Sequence, residues 1–281
     1  MKKVLIPLIL FFVSTANATQ DKAALVDAVL KQSSIEISIM NMPAQLSQLP
    51  AMMPMEAQQK QVLMDDVVAT IMNDFNEVEV FNAVKQHFVQ QGDSDKLRLV
   101  LNWLNSPEGR EITQVEILAQ QIDPLAMQQY IMAFTPEALG RRKMALFSDL
   151  VAASEMNEMM FKMMEKFMPA MMKGVVEIDK ALGQNRISDP VEFERTFRKQ
   201  ITMMRDQLGP MLEMQMVATF SYMFRDASDP SLEAYSEFLA SEAGQHYMAL
   251  SVDSILEYGV DWMEHMLTGM AKVIVANSVN E

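Results

Sequence analysis

Cysteine is absent from all 281 residues, which excludes disulfides, thiolate metal ligands, a thiol nucleophile and a lipid-modified N-terminal cysteine. Glycine and proline are scarce, 9 and 11, where ordinary composition puts the pair at about 12%. A chain so poor in turn residues favours long helices over many short strands. Three histidines leave little material for a His-rich metal centre. Basic residues number 23 against 37 acidic ones, a formal charge of −14, and that balance argues against nucleic acid. Also missing are a Gly-rich phosphate loop, a His-Glu-x-x-His pair and a calcium loop, so no common catalytic or cofactor motif is present. The apolar tail beyond Gly259 carries Asp261, Glu264 and Lys272, so it does not read as a membrane span.

What is present begins with an export signal. Lys2 and Lys3 precede an uncharged, mostly apolar run from Val4 to Val13, and Ala16-Asn17-Ala18 supplies the small-x-small pattern of a cleavage site. The run is about half the roughly 20 residues needed to cross a bilayer. Residues 1–18 therefore read as a cleaved signal peptide, with cleavage before Thr19 and the mature chain soluble in the periplasm. With no cysteine in an oxidising compartment, the fold must rest on its core alone.

The mature chain divides into two related halves, 19–134 and 135–281. Leu97 to Gly109 aligns with Leu232 to Gly244 at a constant offset of 135 residues, with Leu97/Leu232, Leu104/Leu239, Ser106/Ser241 and Gly109/Gly244 identical. Trp103 answers Phe238. Upstream, Leu25 to Val29 aligns with Phe147 to Val151, and Pro50-Ala51-Met52-Met53 recurs as Pro169-Ala170-Met171-Met172. Leu97, Val100, Trp103 and Leu104 share one helical face. Ser106 then reads as an N-cap ahead of Pro107, and Gly109 lets the next helix pass close to the previous one. The unit is a helical hairpin with a tight corner, repeated at Ser241 and Gly244. No general base accompanies either serine, so the corner is structural rather than nucleophilic.

Apolar periodicity predicts helices over 24–39, 62–73, 78–89 and 125–134. Further ones run from Thr135 toward Pro169, from Pro190 to about Gly209, and over 211–224, 230–239, 242–257 and 260–276. The expected fold class is all-α, helical hairpins in two related halves.

The motif Phe238-Leu239-Ala240-Ser241-Glu242-Ala243-Gly244, with Trp103 to Gly109 as a looser copy, resembles the bacterial domain-of-unknown-function family numbered 2059. That resemblance implies an exported helical domain and supplies no catalytic residues.

Twenty-nine methionines are the largest compositional anomaly. In the densest cluster Met156, Met160, Met163, Phe167 and Met171 form one stripe, which Met159, Met164, Met168 and Met172 widen. Glu158, Lys162, Glu165 and Lys166 form its polar edge. The sector is wider than one neighbouring helix covers, so it is either core buried on several sides or a groove for another chain. As a groove, its lining is Met156, Met159, Met160, Met163, Met164, Phe167, Met168 and Met171. Thioethers also select Cu(I), and Met52/Met55, Met211/Met214 and Met263/Met266 have the i, i+3 spacing that brings two sulfurs together on a helix. These methionines sit among Leu, Ala, Val and Phe, which favours packing over ligation. His87 and His246 read as exposed or hydrogen-bonded residues, Asp65-Asp66 as a solvated face, and Arg141-Arg142-Lys143 as the outer side of a helix. The sequence thus points to a non-enzymatic exported protein without a cofactor. It acts by binding a protein or peptide partner or in a structural role, with periplasmic Cu(I) binding as the alternative.

Overall fold

A computed structural model describes residues 7–46, 75–181 and 189–278, and these residues form eleven helices and no strand. In chain order they are α1 (Pro7–Gln32), α2 (Ile35–Leu46), α3 (Glu77–Gln91), α4 (Ser94–Leu104), α5 (Pro107–Ala119) and α6 (Pro124–Ala133). After them come α7 (Pro136–Ser154), α8 (Met156–Ala181), α9 (Pro190–Met223), α10 (Asp229–Ala240) and α11 (Glu242–Ser278). The all-α expectation holds. None of the described helices is long and apolar enough to cross a membrane. Helix starts follow the local chemistry: Asn76, Asp93, Ser106, Asp123, Asp189 and Ser228 each accept a first-turn N–H on the side-chain oxygen. A proline stands in the first turn of α5, α6, α7, α9 and α10, where its missing N–H costs nothing.

Several boundaries depart from those the periodicity predicts. The segment 24–39 is two helices, broken at Ser33, whose hydroxyl donates to the Leu30 carbonyl and accepts from the Ile35 N–H. Ser154 breaks the long second-half helix in the same way, donating to the Val151 carbonyl and accepting from the Met156 N–H. In both places a serine side chain replaces the backbone ladder and turns the chain. The prolines behave in the opposite sense. Pro43, Pro169 and Pro210 all lie inside helices, so α9 runs through Gly209-Pro210, and α11 runs unbroken across Gly259. Each forfeits one backbone bond, and flanking helices hold the rods together. The predicted helix at 62–73 lies outside the described residues.

Two large cores lie side by side. The first gathers Val26, Val29, Leu30, Ile39, Val84, Phe88, Leu97 and Val100 from α1–α4, and is closed by Ala243 and Leu250 of α11. The second gathers Phe147, Leu150, Val151, Val217, Phe220, Leu232 and Leu239 from α7, α9 and α10, and is closed by Ile112 and Val115 of α5. Each half thus lends the helix after its corner to the other half's core, and the packing crosses the division at residues 134/135. Val26, Val29, Leu30 and Ser33 are buried at the same spacing as Phe147, Leu150, Val151 and Ser154, one residue off the Leu25/Phe147 alignment.

Beyond the second core, α8, α9 and α11 extend as a three-helix arm. Lys162 bonds Asp253 at 2.6 Å and Lys173 bonds Glu264, an equal step along both helices, so α8 and α11 run parallel. Helix α9 returns antiparallel to α8, with Arg205 on Glu158. Phe161, Met168, Met172 and Ile201 form the arm's own small core.

Candidate binding surface

At the two corners, sequence pattern and geometry agree closely. The Ser106 hydroxyl donates to the Trp103 carbonyl at 2.7 Å and accepts from the Gly109 N–H at 2.9 Å. The Ser241 hydroxyl does the same to Phe238 at 2.6 Å and Gly244 at 3.1 Å. A Cβ on Gly109 would stand 2.0 Å from the Trp103 carbonyl oxygen, and one on Gly244 1.9 Å from that of Phe238, so both positions require glycine. Leu104 and Leu239 are buried beneath the corners. Trp103 and Phe238 stack face to face, with centroids 4.9 Å apart, and touch both cores. Tyr235 also lies parallel to Trp103, with centroids 6.0 Å apart. Every hydroxyl of this motif is spent on backbone, which gives the corners a mechanical role.

Helix α5 supplies the polar seam of the same junction. Glu111 accepts from the Ser228 N–H at 2.6 Å and the Ser231 hydroxyl at 2.7 Å, and these bonds hold its pKa below the usual carboxylate range. On α11, just past the other corner, His246 Nε2 accepts the Asp93 N–H at 2.9 Å. Burial lowers the His246 pKa, in keeping with a ring nitrogen that must stay unprotonated to accept. Glu116 takes the Tyr235 hydroxyl at 2.7 Å and the Ser34 hydroxyl at 2.8 Å. Desolvation raises the Glu116 pKa against these two bonds, and raises that of Tyr235 as well. A glutamate tying α5 to α10 and to the α1–α2 turn was not among the sequence candidates; an acid near the end of an amphipathic helix carries no local mark of burial.

The wide methionine sector on α8 is covered on two sides. Met159 and Met168 are buried, and Met156, Met160, Met164 and Phe167 are half-buried. Met160 and Met164 pack on the arm's core, and Phe167 approaches Gly259 of α11. Among the described side chains of the proposed lining Met163 is the most exposed, at 36%. The Met171 side chain lies outside the described ones. The sector is therefore mainly wall between α9 and α11. Met40 on α2 and Met132 on α6 are exposed singly, whereas α9 carries a row: Met203, Met211 and Met214 are 51%, 58% and 39% exposed. At 3.6 residues per turn these three share one side of α9, opposite Ile201 and Leu212, which pack in the arm's core. Sequence periodicity passed over this face because Gln200, Gln207 and Thr196 interrupt it.

The remaining candidates are accounted for by ordinary contacts. His87 Nδ1 pairs with Glu257 at 2.8 Å. Arg142 and Lys143 bridge to Asp229 at 3.1 and 2.6 Å, tying α7 to α10. Among the described residues no group of three His, Asp or Glu is placed to hold a metal ion. Asp65-Asp66 and Met52/Met55 lie outside the described residues, as do the side chains of Met263 and Met266. Comparison with known proteins finds no match: no family model, no curated protein and no solved structure corresponds to this chain.

Proposed function

We propose that this chain is an exported, non-enzymatic protein that binds a protein or peptide partner through the thioether face of α9. The observation carrying this reading is the row Met203, Met211 and Met214, open along one side of a helix whose opposite side is already packed. Unbranched thioethers adapt to irregular apolar partners at little conformational cost, which suits a surface that accepts more than one sequence. Export rests on the Lys2 to Ala18 signal pattern and on its resemblance to exported domains. Two related halves are supported by the recurring corners and serine breaks.

The test is M203Q/M211Q/M214Q in the purified mature protein. The reading expects an unchanged helical spectrum, a melting temperature within a few degrees of wild type, and loss of partner retention from periplasmic extract. Equal retention by the variant removes the α9 face from the proposal. Met211 and Met214 also form an exposed i, i+3 sulfur pair, which keeps Cu(I) as the second reading. Stoichiometric Cu(I) uptake that the same variant abolishes would favour it.

A further inference from the structure

The side of α9 that carries the exposed methionines is already occupied at one end by another part of the chain. Phe193, Thr196, Gln200, Met203, Gln207 and Met214 are all exposed, and successive members stand three, four or seven residues apart. At 3.6 residues per turn that spacing lays them along one stripe. Ser221 continues the stripe seven residues beyond Met214, and there it is buried. Helix α6 covers it: the Tyr130 hydroxyl meets that of Ser221 at 3.1 Å, and the Tyr130 ring lies tilted against Tyr222 at 4.8 Å. From Pro124 to Ala133, α6 carries no charged residue. An uncharged helix is thus seated on the C-terminal end of this stripe, and the open remainder from Phe193 to Met214 is about 30 Å long.

The open part keeps the features of the covered part. Its members are uncharged, and Glu192, Lys199 and Glu213 stand only along one edge. Alternating steps of three and four residues match the ridges of a second helix laid alongside. An extended peptide gains nothing comparable, because a helix surface offers its backbone no unpaired ladder, and amides buried against thioethers would go unbonded. A helix satisfies its own backbone and presents side chains alone. A charge within the partner's contact stripe would lose water without meeting a counter-charge on this face. Resting on the reading of α9 as the binding face, we infer that its occupant is an amphipathic helix of another protein, laid along Phe193 to Met214 with an uncharged apolar stripe. It continues along α9 the kind of contact that α6 makes at Ser221 and Tyr222.

The experiment titrates the full mature chain, isotopically labelled, with two synthetic peptides of about 20 residues, the length that matches the open stripe. Both have one composition, Leu among Ala, Gln, Glu and Lys. In the first, Leu recurs at three- and four-residue steps with the charges on the opposite face; in the second, Leu alternates with polar residues. The first should give saturable amide shifts confined to residues 193–214 and gain helical signal on binding, and the second should do neither. M203Q/M214Q should weaken the first peptide about tenfold. M132Q, at the exposed methionine of α6, should leave its affinity unchanged. Equal binding of the two peptides, or no saturation by about 1 mM, overturns the inference. If M203Q/M211Q/M214Q nevertheless loses partner retention, α9 remains the binding face and only its helical occupant is removed. Reversible dimerisation of the chain alone in sedimentation, abolished by M203Q/M214Q, also overturns it, in favour of a second copy.

Discussion

Glu116 is a carboxyl whose surroundings stabilise its neutral form. From α5 it holds Tyr235 of α10 and Ser34 of the turn between α1 and α2, yet desolvation raises its pKa above the ordinary 4.5. An acid with a raised folded-state pKa binds its proton more tightly in the folded chain. Its burden on stability is therefore absent below pH 4.5, grows as pH rises toward the folded value, and is complete above it. Glu116→Gln keeps an acceptor for Tyr235 and a partner for Ser34 without the charge. It is expected to raise the melting temperature at pH 8 by a few degrees, about 1 kcal/mol, and to change nothing at pH 4, in paired thermal melts. The glycines make a sharper contrast. Gly109→Ala and Gly244→Ala place a Cβ against carbonyl oxygens at 2.0 and 1.9 Å, and each should cost about 2–4 kcal/mol in urea unfolding. Gly209→Ala meets nothing within 4 Å beyond its chain neighbours, but the Pro210 ring crowds a Cβ on the preceding helical residue, so it should change stability by less than about 1 kcal/mol.

At the scale of an element, the start of α4 depends on a neutral imidazole. Asp93 caps the helix by accepting the Asp95 and Lys96 amides, and its own N–H is held by His246 Nε2. Burial depresses the His246 pKa below 6.5, with Lys96 and Lys22 acting in the same direction and Asp93 opposing them. A base with a lowered folded-state pKa contributes stability above its ordinary value, and loses it as pH falls through the folded one. The Asp93 amide should lose hydrogen-exchange protection on acidification from pH 7 to 5, while the Ser228 amide, held by Glu111, keeps its own. Failure of the two amides to diverge would detach α4 from His246. This asymmetry was invisible in the sequence, because it pairs residues 153 apart. Local features were legible by contrast: the corner serines and glycines, the first-turn prolines and the helix-rich class all follow from adjacent residues. The breaks at Ser33 and Ser154 were missed because a serine inside an apolar-periodic run fits a helix as readily as a turn. The unbroken passage through Pro43, Pro169 and Pro210 was missed because only tertiary packing outweighs the lost backbone bond.

For the whole molecule, the exchange of α5 and α11 between the halves determines how the chain can come apart. Ile112 and Val115 are sealed in the core built by α7, α9 and α10, and Ala243 and Leu250 in the core built by α1 to α4. A half carrying residues 19–134 alone would expose the partners of α11, among them Val84, Phe88 and Val100, and leave its own α5 without a face to bury. Burial of a large apolar side chain contributes about 1.5–3 kcal/mol, and a domain's net stability is only about 5–15 kcal/mol, so losing several such contacts leaves no margin. The fragments 19–134 and 135–281 should each fail, as monomers, to give a cooperative melt. Mixed in equal amounts, they should recover one, because the Trp103–Phe238 stack and both borrowed helices re-form without a covalent link. Cooperative unfolding of either monomeric fragment at the temperature of the intact chain would show that its core is complete by itself. The reciprocal packing would then be a contact between two finished domains, and the intact chain should melt in two steps; a single transition in the intact chain, lost on cleavage of the 134/135 junction only when the fragments are separated, is the outcome the shared cores require.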